Sequence, residues 1–431
     1  MKARALSDAT PESAESSELT ENKETDSDSN AEIPAEVSAF SNDLAVEEVS
    51  LYDASGTSAQ DAVTSWTELK SAVASAANGA TIYLSGEITI TGRGAVRQQK
   101  SASGRTGSAQ YTNTVGVGSE TVAQGYTYTQ NASLRMGDAS GVQTDHDNVM
   151  IYISGGTTLE IENVFLNGNN NCENVVYTEG TDSKISLQNC TVGYGNDNGI
   201  LLNPGQAEIN GSLVFNNGEY AGDGTALYRF ENGSAVLSGN VRSQGLGGGG
   251  LTCAAGSHVQ AAASSFVWNK TSGFDIPEAD SSASAENCFF WGNGWTGANV
   301  RSNSVMTLTG CQVENNGYNT ANLLTTDGDT ASNTFPGLDV QGAGTMKISH
   351  CGILNNAGNG VQCYPDSKTY LYGWNHIYAN GINGVYTQGQ LWIGKAADSA
   401  NGDETTAVYN NAADGVHTDG GTVQGDHLNC Y

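Results

Sequence analysis

The chain has 431 residues, with 46 acidic side chains against 17 basic ones and a net charge of −29. A surface of that sign repels phosphates and anionic lipid headgroups, so nucleic acid is excluded as a partner; neutral glycans, or acidic ones bridged by a cation, suit it better. Gly contributes 55 residues and Pro only 6, which rules out collagen. No stretch approaches the ~20 apolar residues of a transmembrane segment.

Met1 to Ser7 contains no apolar stretch of the kind a signal peptide needs, so the expectation is that a leader has been removed. Residues 1–50 are rich in Ser, Glu, Asp, Ala and Asn. They cannot bury enough apolar area to offset ordering entropy, and a disordered acidic tail is predicted. Order is expected over 51–431, with a cap at 62–91, an insertion at 92–132 and repeated coils at 148–431. Ser65-Trp66-Thr67-Glu68 is a capping box, followed by Leu69, Val73 and Ala76 at helical spacing and by Asn78-Gly79 as a stop. Two strand-like runs come next, Thr81 to Leu84 and Glu87 to Thr91. A short helix leading into strands suits a cap over the open end of a stack. Residues 92–132 are Gly-, Ser-, Thr- and Gln-rich and read as an excursion. Asp145-His146-Asp147 lacks a spaced fourth ligand and reads as a polar turn rather than a metal site.

A self-similar unit recurs from Gly156 onward. One half is small-x-apolar before an Asn/Gly turn, as in Cys190-Thr191-Val192, Cys311-Gln312-Val313 and Cys351-Gly352-Ile353. The other half is apolar-x-apolar after Gly, as in Phe274-Asp275-Ile276, Leu338-Asp339-Val340 and Val385-Tyr386-Thr387. The middle residues of this second half return at roughly 23-residue intervals, with insertions near 318–334 and 396–405. That period, short alternating strands and Asn-rich turns predict an all-β solenoid, a parallel β-helix of about ten coils. Stacked Asn amides can hydrogen-bond from coil to coil, and Asn tolerates left-handed backbone. The chain stops within a coil at Cys430-Tyr431, which predicts that further sequence follows in the native protein.

The segment Gly155-Gly156-Thr157-Thr158-Leu159-Glu160-Ile161-Glu162-Asn163-Val164-Phe165-Leu166-Asn167-Gly168-Asn169 resembles the pectin-lyase-like superfamily of right-handed parallel β-helices. With the opening from Trp66 to Leu84, it is most similar to that group's adhesin-like surface proteins. The resemblance covers roughly residues 62–431. It implies a secreted or cell-surface protein whose partner is a polysaccharide or cell-surface glycan. The superfamily also holds lyases, hydrolases and tail spikes, so a polysaccharide-degrading enzyme is the alternative.

Eight cysteines in an exported chain invite disulfides. Yet Cys190, Cys288, Cys311, Cys351 and Cys430 share one inward coil position with Val164, Ser212 and Ser265. Stacked residues there have Cβ atoms ~4.8 Å apart, too far for an S–S bond, so core packing is expected.

The middle residues of the apolar-x-apolar strands point outward. In coil order they are Tyr177, Leu201, Arg229, Thr252, Asp275, Asn299, Asp339, Gln362, Tyr386 and His417. Aromatic, amide and charged groups in one row suit a sugar chain, and Tyr177, Arg229, Asn299, Arg301, Gln362, Tyr386 and His417 are the expected ligand contacts. Trp268, Trp291 and Trp295 are expected at neighbouring turns. The glycine before each strand is expected to let a ligand approach the backbone. Asn269 to Ile276 faintly resembles a strand motif of the superfamily's pectin hydrolases, which implies Asp275 and Asp339 as the catalytic carboxylates. Two coils separate them, ~9.6 Å along the stack, close to the roughly 6.5–9.5 Å of inverting glycosidases. Asp275 would be the acid and Asp339 the base, with Arg301 near an anionic group. That motif's first Asp, its following Asp pair, its Gly-His-Gly and its Arg-x-Lys are absent. Ca²⁺ is the cation that related lyases use, but no carboxylate cluster for it is legible, and no metal site is expected.

Overall fold

A computed structural model describes residues 62–425 with internal breaks, the longest at 92–99, 105–110, 116–125, 218–227, 319–333 and 395–404, together with 428–430. The acidic tail, Asp145-His146, Trp268 and most of the two coil insertions therefore lie outside the described residues.

The helix forms where the capping box places it, Trp66–Ser75. Ser65 Oγ accepts from the Glu68 amide, and the Glu68 carboxylate accepts from the Ser65 and Thr64 amides. Trp66 Nε1 donates to the Thr91 carbonyl at 2.7 Å and ties the helix to the first coils. Among the described residues, the strands form two thirteen-stranded sheets, one of twelve strands and a separate antiparallel hairpin, Tyr111–Val115 with Tyr126–Gln130. One coil shows the path. Thr345–Ser349 lies in the first sheet, Gly352–Leu354 in the second and Val361–Cys363 in the third, and the chain returns to the first at Lys368–Tyr372. Successive strands of each sheet pair in parallel; Val142–Thr144, antiparallel to Asp147–Ile153, is the exception. Inward side chains alternate with outward ones, and the inward set forms one continuous apolar core along the stack.

The reading of about ten coils undercounts. It found the ten third-sheet strands from Asn174–Thr178 to Val416–Thr418, but Asp147–Ile153 adds one, with Tyr152 in register with Tyr177. In the first sheet, Thr81–Leu84 and Lys100–Gly104 precede Thr158–Glu162. Lys100–Gly104 belongs to the segment expected as an excursion. The long connection after it breaks the 23-residue period, so no periodic signal marks these first coils.

Asn does two jobs at the turns, and tandem Asn residues divide them. Asn315 and Asn355 take left-handed backbone, φ 56° and 52°, which turns the chain out of the second sheet. The next residues, Asn316 and Asn356, belong to a buried amide ladder through Asn269, Asn293, Asn316, Asn356, Asn380 and Asn411. From Asn269 to Asn380, each side-chain amide donates to the Oδ1 of the ladder residue in the next coil at 2.8 to 3.0 Å. The corner between the first and second sheets is a single left-handed residue, such as Asn163, Asn189, Asn287 or His350.

The seven described cysteines are all buried free thiols. Val164, Cys190 and Ser212 share a position, as expected; Ser264, not Ser265, occupies it two coils on, because Ser265 pairs with Arg242 and Phe289. Burial pushes the Cys190 and Cys253 thiols up to about 12, so these thiols stay neutral and act as core packing.

The glycines before the third-sheet strands differ from expectation. A Cβ at Gly360 would meet the Gly384 carbonyl oxygen at 2.6 Å, Asn380 Nδ2 at 2.7 Å and Ile377 Cγ2 at 2.8 Å. Gly273, Gly337 and Gly384 face the amide ladder in the same way. These glycines make room for the neighbouring coil, not for a ligand. Gly360→Ala is expected to lower stability by roughly 1–3 kcal/mol, read as an earlier urea midpoint; an unchanged midpoint would mean that the coil spacing opens freely.

Candidate functional site

The outward row of the third sheet is in register as the sequence predicts. Asp275 pairs with Asn299, Asn299 with Asp339, Asp339 with Gln362, Gln362 with Tyr386, and Tyr386 with His417. Arg229 stands in the same row, between Leu201 and Thr252. A shared row does not make a shared environment.

Tyr177 departs from its expected role. It is 1% exposed, packed with Val149, Leu201 and Tyr152, its ring stacked on Tyr152 at 5.7 Å. The outward residues of these early coils are apolar and bury one another, so Tyr177 is not open to a ligand. At the other end, Tyr386 and His417 stack in parallel at 5.4 Å and 6°. Tyr386 Oη donates to Asp419 at 2.7 Å, and His417 Nδ1 lies 2.7 Å from Asp414.

Between these ends lies a polar cluster. Arg301 Nη2 meets Asp275 Oδ2 at 3.1 Å and Oδ1 at 3.4 Å. Asn299 and Asp339 are 8% and 5% exposed, deeper than an outward position normally allows. Gln341 Nε2 donates to Asp339 Oδ2, and Gln362 Oε1 accepts from Asn359 at 2.9 Å. Asp339 Oδ1, Asn299 Oδ1 and Arg301 Nε are buried without a hydrogen-bond partner in the protein. Each such atom costs about 1–3 kcal/mol unless something pairs with it, and these three lie in adjacent coils.

Burial raises both carboxyls, Asp275 and Asp339. Asp339 reaches about 7, against the opposing Gln341 hydrogen bond and the Arg301 charge. Asp275 is raised by burial but restrained by the guanidinium bonded to it. Asp339 thus holds its proton up to near neutral pH, and at Asp275 the Arg301 guanidinium opposes the rise that burial causes. Among the described residues, no group of three or more His, Cys, Asp or Glu side chains is placed to hold a metal.

Sequence reasoning missed the column two residues further along each strand. It holds Arg301, Gln341, Tyr364 and Gln388, after Asn299, Asp339, Gln362 and Tyr386. Of these only Arg301 was singled out. The i, i+2 rule carries this signal, but the strands are three residues long and the column falls in the turn. Gln341 bonds Asp339, Gln388 donates to Asp419, and burial with the Asp339 charge pushes the Tyr364 phenol up. On the other flank, Trp295 (43% exposed) stacks on Phe335 at 5.7 Å, three residues before their strands; Trp291 is buried.

Residues 229–391 and 279–426 match the family model described as the right handed beta helix region. A search of the curated proteins finds no match. Solved structures similar to this chain include the A-module of the mannuronan C-5 epimerase AlgE6 of Azotobacter vinelandii, at 13% identity and TM-score 0.46, over 86% of this chain and 96% of that one. The pectate lyase Pel9A is similar at 13% identity and TM-score 0.39, over 82% and 72%. The tailspike protein 3 of bacteriophage CBA120 is similar at 12% identity and TM-score 0.39, over 88% and 59%.

Proposed function

We propose that this chain, whose described strands stack in three parallel sheets and whose residues 229–426 match the right handed beta helix region, works outside the cytoplasm as an adhesin-like protein that binds a polysaccharide. The strand of sugar lies along the outer face of the third sheet, across the coils of Asp275, Asn299, Asp339, Gln362 and Tyr386. The observation that carries this reading is the polar cluster itself, with three buried polar atoms that have no protein partner. Arg301 and Gln341 supply donors for sugar hydroxyls or carboxylates, and Tyr364, Tyr386 and Trp295 supply flat apolar faces beside them.

A second reading, polysaccharide cleavage, is favoured by one observation: two buried carboxylates stand two coils apart in one row, Asp339 raised to about 7 and Asp275 raised against the pull of the Arg301 guanidinium. Asp339 as acid and Asp275 as base, two coils apart, suit inverting hydrolysis.

A glycan array with the purified chain, run beside reducing-sugar and unsaturated-product assays on the same polysaccharides, tests both. Binding without product release is expected, weakened about tenfold by Asp275→Asn, which loses the Arg301 partner. Product release that Asp339→Asn abolishes, and that falls above about pH 7 as Asp339 loses its proton, would replace binding by hydrolysis. Silence in every assay would overturn both.

A further inference from the structure

The outer face of the first sheet changes character along the stack. Three of its earlier strands, Thr158–Glu162, Gln206–Asn210 and Ser282–Glu286, carry outward carboxylates, Glu160, Glu208 and Glu286 among them, and other earlier strands such as Lys184–Gln188 and His258–Ala262 carry none. In its last five strands, from Val305–Thr309 to Thr422–Gly425, the outward positions carry none. They carry instead Lys347 and Lys368, both exposed, and three aromatic rings. On a chain of net charge −29 such a stretch is out of keeping with the rest.

The rings form one group. Tyr370 and Tyr372 alternate out of Lys368–Tyr372, with centroids 5.8 Å apart and planes within 10°. Trp392, in register with Tyr370 on the next strand, lies 5.3 Å from Tyr372 and 6.4 Å from Tyr370. The residue opposite Tyr372 is Gly394. A Cβ there would fall 2.2 Å from the Trp392 ring, so the indole lies over the glycine and any side chain at 394 would displace it. All three rings stay partly exposed, and Trp374, two residues beyond Tyr372, is 43% exposed. Thr307, Lys347, Tyr370, Trp392 and Gln424 follow one another in register, each about 4.8 Å from the next.

We propose that this face is a second, separate glycan-binding surface, which takes a chain of flat pyranose rings bearing carboxylates. Rings arranged side by side on a sheet offer apolar faces to stack on. A cation in the same column, one strand spacing from the rings, meets a charged substituent on the neighbouring sugar. Repulsion from the rest of this acidic protein confines a polyanion to the patch without carboxylates. Asp366, in the turn two residues before Lys368, is the nearest carboxylate in sequence and sets one edge of the patch. The proposal does not rest on the third-sheet reading.

Affinity electrophoresis of the full chain tests it, in gels containing either carboxymethylcellulose or hydroxyethylcellulose, which share a backbone and differ in charge. Retardation by carboxymethylcellulose alone is expected. Trp392→Ala should weaken it at least tenfold. The double variant Lys347→Glu, Lys368→Glu changes only exposed side chains, leaves the core intact, and should weaken it as much. Equal retardation by both polymers, or by neither, overturns the proposal. So does full retardation of the lysine variant, or loss of retardation with Asp339→Asn alone, which would move binding to the third sheet.

Discussion

Asn356→Leu is expected to lower the unfolding free energy by about 3–6 kcal/mol, the largest effect of any single substitution considered. The side chains are close in size, so the loss comes from hydrogen bonds. Asn356 Oδ1 accepts from the Asn316 backbone amide at 3.0 Å and from Asn316 Nδ2 at 3.0 Å. Its Nδ2 donates to the Val313 carbonyl at 3.2 Å and to Asn380 Oδ1 at 3.0 Å. Leucine leaves the Asn316 N–H and the Val313 carbonyl buried and unpaired, at about 1–3 kcal/mol each, and breaks a chain of amides that polarise one another. A solenoid is held coil to coil, so a break in mid-stack uncouples its two halves. Urea unfolding followed by circular dichroism should show an earlier midpoint and a broader, divided transition. A midpoint within experimental error of the parent would show that the ladder adds nothing to stability.

Asp339→Asn should stabilise the protein at pH 8 and leave it unchanged at pH 4. Burial raises the folded pKa of Asp339 from an ordinary 3.8 to about 7. The folded state therefore holds this proton more tightly than the unfolded chain. Stability is greatest below about 4, falls as pH rises from there to about 7, and is level above it. The three-unit window corresponds to about 4 kcal/mol, with solvent access at the rim reducing it to about 2–4 kcal/mol. Asparagine resembles the protonated acid, keeps an oxygen to accept from Gln341, and has no charge to desolvate. Thermal unfolding of parent and variant from pH 4 to pH 8 checks this. Parallel curves for the two proteins would mean that Asp339 ionises as freely in the fold as in the unfolded chain, and its candidacy as a general acid would end with that result.

The two predictions draw on different levels of legibility. The ladder was visible as an Asn recurring in the turn before most strands of the third sheet, because the repeat itself fixes which side chains stack. The division of labour between Asn315 and Asn316 was not visible, since both readings of Asn, left-handed corner and stacked amide, fit either residue. For Asp339 the row was visible and the burial was not. Tyr177 and Asp339 occupy equivalent positions by period. One is sealed among apolar neighbours, and the other is sunk in a polar cluster that turn residues complete.

By itself, the sequence determined the capping box, the parallel stacking, the inward and outward alternation, the free buried thiols and the register from Tyr177 to His417. Each follows from local chemistry or from a period that parallel pairing must obey. Only the tertiary structure decided the coils before Gly156, where a long connection hides the period, and the purpose of the glycines, which depends on the backbone of the next coil. It alone also decided that Asp339 is buried and which outward positions are open. Those properties belong to no single strand. They arise from what the neighbouring coils and turns place over a residue, and a side chain's hydration and field are set by that surrounding matter rather than by its own place in the repeat.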